Sequence, residues 1–189
     1  MLAGHAERPD RLRAIAEHLS NTGLLAEFDL RAATPAADAT IARIHDPTYL
    51  HSLLAMLPRQ GLAQVDPDTA LCPASLEAAH MATGAVVDAV NAVLDGEGDT
   101  AFCSVRPPGH HAESDAAMGF CFYNSVAVGA EVALTRPDIS RIAILDFDVH
   151  HGIGTAEIFQ DRPEVLVCSS FQHPFYPHRY HDLVRPNIV

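Results

Sequence analysis

At 189 residues the chain is long enough to bury the core of one domain, 1–189. Its 48% apolar content contains no run able to span a bilayer, since Ala85 to Val93 is interrupted by Asp88 and Asn91, and no secretory leader pattern opens the chain, so a soluble, cytoplasmic protein is expected. The net charge is -12 and all 12 basic residues are arginine, which argues against a grip on a phosphate backbone; acidity favours cationic substrates, although solubility is its plainer explanation.

In chain order, His5, Glu7 and Arg8 form a loop before Pro9 and Asp10, which start a helical pattern with Leu12, Ile15, Ala16 and Leu19 on one face. Residues 36–57 hold two short helical patterns separated by His45, Asp46 and Pro47, and the second takes Tyr49, Leu50, Leu53, Leu54 and Leu57 as its apolar side. Gly61 to Pro73 reads as a polar loop. Ala74 to Leu94 reads as one long helix stopped by Gly96 and Gly98. Thr100 to Val105 reads as a strand that delivers Arg106, Pro107, Pro108, Gly109, His110 and His111 into a loop. Gly119 to Asn124 leads into a helix of small residues through Ala133. Ile142 to Leu145 reads as a buried parallel strand and Val165 to Ser170 as another, with a glycine turn at Gly152 and Gly154 and a helix capped by Thr155 between them. Asn187 to Val189 begins a further apolar run, so the sheet is expected to continue. Strand and helix alternate as in parallel βαβ units. Cys72, Cys103, Cys121 and Cys168 form no CxxC pair, and buried reduced thiols are expected.

Chemistry gathers where the strand after Ile142 ends. Successive strand residues alternate faces, so Asp146, Asp148 and His150 would share one side, at the carboxyl end where open α/β sheets bind ligands. A carboxylate and a neutral imidazole suit a divalent metal such as Zn²⁺, but a catalytic zinc wants three protein ligands, and an isolated DxH is more often an acidic turn bonded to backbone. The adjacent His110 and His111 shift the balance towards metal-assisted hydrolysis, one histidine taking a proton from water while the other protonates a leaving amine. His18, His51, His80 and His181 read as surface or core residues. No nucleophile elbow and no phosphate-binding glycine loop is present to support acyl-enzyme or nucleotide chemistry.

Together, RPPGHHA at Arg106 to Ala112 and LDFDVHHGIGT at Leu145 to Thr155 resemble the histone deacetylase and acetylpolyamine amidohydrolase family. HAERPDR at His5 to Arg11, GFCFYN at Gly119 to Asn124 and FYP at Phe175 to Pro177 extend the resemblance along nearly the whole chain, in the family's order. The resemblance implies an arginase/deacetylase-like three-layer α/β fold with a mainly parallel sheet. It implies hydrolysis of an N-acetyl amide, from acetyl-lysine, an acetylpolyamine or a similar small acetylated amine, by metal-bound water. Carried over by position, Asp148 and His150 become zinc ligands and His110 and His111 the acid/base pair. Asp146 orients His110 and, with Ser169, helps to hold a potassium ion, while Gly119, Phe120 and Tyr176 line the substrate channel.

Three departures stand out. The family's third zinc ligand and its transition-state tyrosine lie beyond Val189, so the chain resembles an N-terminal fragment, inactive by itself. Ile153 stands where relatives carry Asp or Asn against the second histidine. His178, Arg179 and Tyr180 replace a glycine-rich turn at the channel rim. Two other readings stand beside the deacetylase: a catalytically weakened module that still binds acetylated ligands, and a dimanganese ureohydrolase of the same fold.

Overall fold

A computed structural model describes residues 5, 7–179 and 185–189; Tyr180 and His181 lie outside the described residues. Helix α1 (Asp10–Asn21) forms where expected, but no residue of its apolar stripe is buried among the described residues. Between α2 (Asp38–Ile41) and α3 (Pro47–Met56), Asp46 caps the second helix by accepting from the Thr48 amide, with Pro47 placed where no N–H is needed. The polar stretch after Gly61 is not only loop: β1 (Ala63–Gln64) and β2 (Ala70–Leu71) pair antiparallel around an Asp66 turn. Helix α4 (Ser75–Leu94) runs as the periodicity predicts and is followed by Gly96, whose φ of 75° favours a residue without Cβ.

Helix α5 (Ser125–Leu134) follows Asn124, and strands β3 (Ile142–Asp146) and β4 (Val165–Ser169) pair in parallel with α6 (Ile153–Phe159) between them. Val167 also bridges Ile188 in parallel, which continues the ladder on the other side of β4. Ile144, Val165, Val167 and Ile188 pack with Ala127, Val128, Ala156 and Phe159 into one core under α5 and α6. A second core joins Ile41, Tyr49, Leu53, Leu71, Leu76, Phe122 and Tyr123.

Three expectations need correcting. Thr100 to Val105 forms no ladder among the described residues: Thr100, Ala101 and Cys103 line an apolar groove of about 740 Å³ that also takes in β3. Side-chain pattern specifies what can be a strand, whereas the ladder needs a neighbour to pair with. Strand β3 buries only one face, leaving Leu145 70% exposed beyond the covered Ile144. Of the cysteines only Cys121 is fully buried, and all four are free thiols. No helix of the described residues is long and apolar enough to cross a membrane.

His45, in the break between α2 and α3, joins the two halves. Its Nε2 accepts from the Asn124 amide at 2.9 Å, so its Nδ1 must carry the proton that faces the Glu113 carbonyl, also at 2.9 Å. A second proton would set Nε2–H against N–H, and burial already lowers this imidazole to about 4. Above pH 6.5 both folded and unfolded rings are neutral. As pH falls from there towards 4 the unfolded chain takes up a proton that the folded ring refuses, so stability is lost, by on the order of 3 kcal/mol in all. Urea midpoints measured between pH 7 and pH 4.5 should fall accordingly, and the slope should shrink in His45→Gln, which removes the titrating ring.

Candidate active site

The histidine loop is held by its backbone. Gly109 packs so closely that an added Cβ would lie 2.8 Å from the Tyr123 carbonyl, and the Thr155 amide donates to the His110 carbonyl at 3.2 Å. Asn124, fully buried, donates through Nδ2 to the Ala112 carbonyl and to Thr155 Oγ1, at 3.2 and 3.0 Å, and accepts the Ala127 amide at 3.1 Å to cap α5. Thr155 is therefore inside α6 and serves as an acceptor; the helix begins two residues earlier at Ile153, with Gly152 as its cap position. Ahead of the loop, Arg106 donates to Glu7 at 2.8 Å, and Arg11 pairs with the same carboxylate, which is only 2% exposed. A buried charge needs such partners.

His110 Nδ1 lies 2.8 Å from Asp146 Oδ2. A carboxylate only accepts, so Nδ1 carries the hydrogen and Nε2 is left for proton chemistry. Burial works against the charged form of Asp146, but the His110 bond and charge together with the Asp148 amide hold its carboxyl below the usual range. Gly152 lets the pair meet: a Cβ there would stand 2.2 Å from Asp146 Oδ2 and 3.2 Å from His110 Nδ1. The ring of His111 lies 3.9 Å from that of His110, and burial, reinforced by His110 and His150, lowers it to about 3. Its Nδ1 is buried and meets no hydrogen-bond partner among the described residues. Ile153 is completely buried and offers no acceptor.

Asp148 and His150 follow the strand in a bend, each about half exposed, with His150 Nδ1 3.2 Å from Asp148 Oδ1. Two ligands on one tetrahedral zinc stand roughly 3.3–3.4 Å apart, so the spacing and the donor types fit two ligands of one ion. No cluster of three or more His, Cys, Asp or Glu able to hold a metal occurs among the described residues. Asp146 and Ser169 face one another as register partners across β3 and β4, and Ser169 Oγ also lies 3.0 Å from His151 Nδ1.

Gly119 lies against the histidine pair: a Cβ there would stand 2.3 Å from His111 Cδ2 and 3.0 Å from the Tyr176 hydroxyl. Phe120 adopts φ of 68°, a conformation costing a non-glycine residue about 1 kcal/mol, and is pinned there by Thr69 Oγ1 accepting its amide at 2.9 Å. The His5 ring stands against the Phe120 ring at 4.8 Å. Tyr176 meets both His111 and His150 edge-on. At the rim Arg179 pairs with buried Glu113 at 2.6 Å. His110, His111, Asp146, Asp148, His150, Gly119 and Tyr176 are thus brought together, whereas the contacts of Phe120 are with His5 and Thr69. Reading the sequence missed His45 and the stitching role of Asn124; their only signal was a polar residue inside an otherwise apolar motif.

A parallel α/β unit with a His–Asp pair and a DxH bend at its strand ends is the arginase/deacetylase fold. The histone deacetylase domain matches residues 5–185, and the chain belongs to that family. It is 42% identical over 178 residues to a histone deacetylase-like amidohydrolase of Pseudomonas aeruginosa, covering 94% of this chain and 47% of the relative. To histone deacetylase 5 of Arabidopsis thaliana it is 39% identical over 185 residues, covering 92% of this chain and 28% of the relative. The crystal structure of the HDA15 HD domain matches with a TM-score of 0.87 at 36% identity, covering 94% of this chain and 53% of that one. The chain spans about half the length of the bacterial relative and of the solved structure.

Gly152→Ala should separate His110 from Asp146, since the new methyl would crowd both partners of that bond, the carboxylate oxygen most. The low-field ring N–H proton expected of this bond in the NMR spectrum should disappear, while its persistence would show that the turn absorbs a methyl.

Proposed function

We propose that the complete protein hydrolyses the N-acetyl amide of an acetylated amine, acetyl-lysine, acetylpolyamine or a similar small molecule. The observation that carries this reading is the His110–Asp146 pair beside the Asp148–His150 bend. Asp148 and His150 would hold a zinc ion, which supplies Lewis acidity to the amide carbonyl and acidity to water. His110, oriented through Nδ1 by Asp146, offers Nε2 to accept the proton of the attacking water, and the ionised Asp146 stabilises the imidazolium that results. That proton then passes to the leaving nitrogen. A potassium ion beside Asp146 and Ser169 belongs to the same proposal. Phe120 and Tyr176 exclude water around an apolar stem and admit a neutral amide without burying a charge.

A second reading, that of a weakened acetyl-ligand binder, draws on the unpartnered Nδ1 of His111. An imidazole without an acceptor for its ring N–H is loosely oriented, which costs rate more than binding.

In the full-length protein Asp148→Ala and His150→Ala should each abolish stoichiometric zinc by elemental analysis, together with deacetylation of an acetyl-lysine peptide; zinc retained in either variant would overturn the ligand assignment. Ile153→Asn should raise kcat by roughly 10-fold by giving His111 an acceptor. If it lowers the melting temperature with no gain in kcat, Ile153 is a packing residue only.

A further inference from the structure

Tyr176 stands edge-on to His111, with ring centroids 5.1 Å apart, but its hydroxyl meets no hydrogen-bond partner among the described residues. Its place is set by the segment that carries it. On the near side the Gln172 amide donates to the Val149 carbonyl at 2.9 Å, which fastens the chain beside the Asp148–His150 bend. Beyond it, the His178 amide donates to the Phe175 carbonyl at 3.1 Å and His178 Nδ1 lies 2.9 Å from the Pro174 carbonyl, folding a turn with His178 at φ of 64°. Arg179 follows that turn. Its Nη2 donates to Glu113 Oε1 at 2.6 Å and lies 3.4 Å from the Met118 sulfur. Both partners are fixed points. Glu113 is two positions after His111; its amide donates to the Ala116 carbonyl and its own carbonyl faces His45 Nδ1, each at 2.9 Å. Met118 exchanges two backbone bonds with Cys121 across the turn that holds Gly119, whose missing Cβ leaves room for Tyr176. Burial pushes the Glu113 carboxyl up, Arg179 opposes it, and Glu157 and Asp115 add to burial. An ion pair between two exposed groups would count for little, but a buried carboxylate that loses its cation is costly.

We infer that Arg179 is a positioning residue: by pairing with Glu113 it holds the Tyr176 ring against His111, so that a substrate meets a fixed aromatic surface beside the histidine pair. The inference rests on the amide-hydrolysis reading for its substrate. Arg179 acts through the ring and does not itself touch the substrate. Packing of Tyr176 on the part of the substrate that does not react is the same before and during the reaction, so its loss acts on KM and leaves kcat in place.

The test uses the metal-loaded full-length protein and Arg179→Met, which keeps an unbranched stem and loses the charge. On an acetyl-lysine peptide KM should rise roughly 10-fold, the weight of one displaced aromatic contact, with kcat nearly unchanged. In protein labelled at histidine and tyrosine, the nuclear Overhauser contact between the rings of Tyr176 and His111 should weaken, and Arg179→Lys should restore both values. Glu113→Leu should match Arg179→Met, and the two together should do no more than either. In a Tyr176→Leu background Arg179→Met should change KM no further. An unchanged KM, an unchanged ring contact, no rescue by lysine or additive effects of the pair would each overturn the inference. So would a KM rise that persists in the Tyr176→Leu background, because Arg179 would then meet the substrate directly. Should Arg179→Met not fold, Glu113→Leu breaks the pair from the other side and carries the same readings. If the wild type hydrolyses no acetylated amine, the functional reading fails instead, and the ring contact still decides the role of Arg179.

Discussion

The buried side chain of Asn124 is the constraint on which the site depends. It donates to the Ala112 carbonyl at the end of the histidine loop and to Thr155 in α6, and it accepts the Ala127 amide in the first turn of α5. Its own backbone N–H reaches His45. Each of these groups would otherwise be a buried polar atom without a partner, an expensive condition in a dry interior. Two helices, one loop and one buried imidazole are therefore referred to a single amide, and His110 and His111 take their position from that junction.

Electrostatics then separates two adjacent histidines of the same kind. His110 has Asp146 behind it, and the carboxylate is kept ionised by the contacts it makes. His111 is held low by burial and by the neighbouring imidazoles of His110, His150 and His151, against a weaker opposing pull from Asp146. The first therefore has a carboxylate to orient and stabilise its ring, and the second packs against Gly119 and Tyr176.

Much of this was legible in the sequence because the relevant residues are close along the chain. Asp146, Asp148 and His150 lie on five consecutive positions, and the Pro107–Pro108–Gly109 turn announces its own rigidity. What could not be read was long-range pairing: the tautomer of His45 is set by residues 68 and 79 positions away, and the Thr100–Val105 segment has strand chemistry but no ladder. Thr155 was misplaced because a threonine after two glycines resembles a cap, whereas here its hydroxyl serves a side chain from another element.

The ladder between β3 and β4 carries a further consequence. Ile142 pairs with Val165, Ile144 with Val167 and Asp146 with Ser169, all in one register. A slip of one residue would exchange the faces of every side chain, turning Asp146 away from His110 and Ile144 out of the core together. The alkyl pairs in the middle of the sheet thus act as a vernier for proton chemistry at its end. A conservative change among Val, Ile and Leu there, far from any reacting atom, bears on the alignment of the His110–Asp146 pair as directly as a change in the loop that holds it.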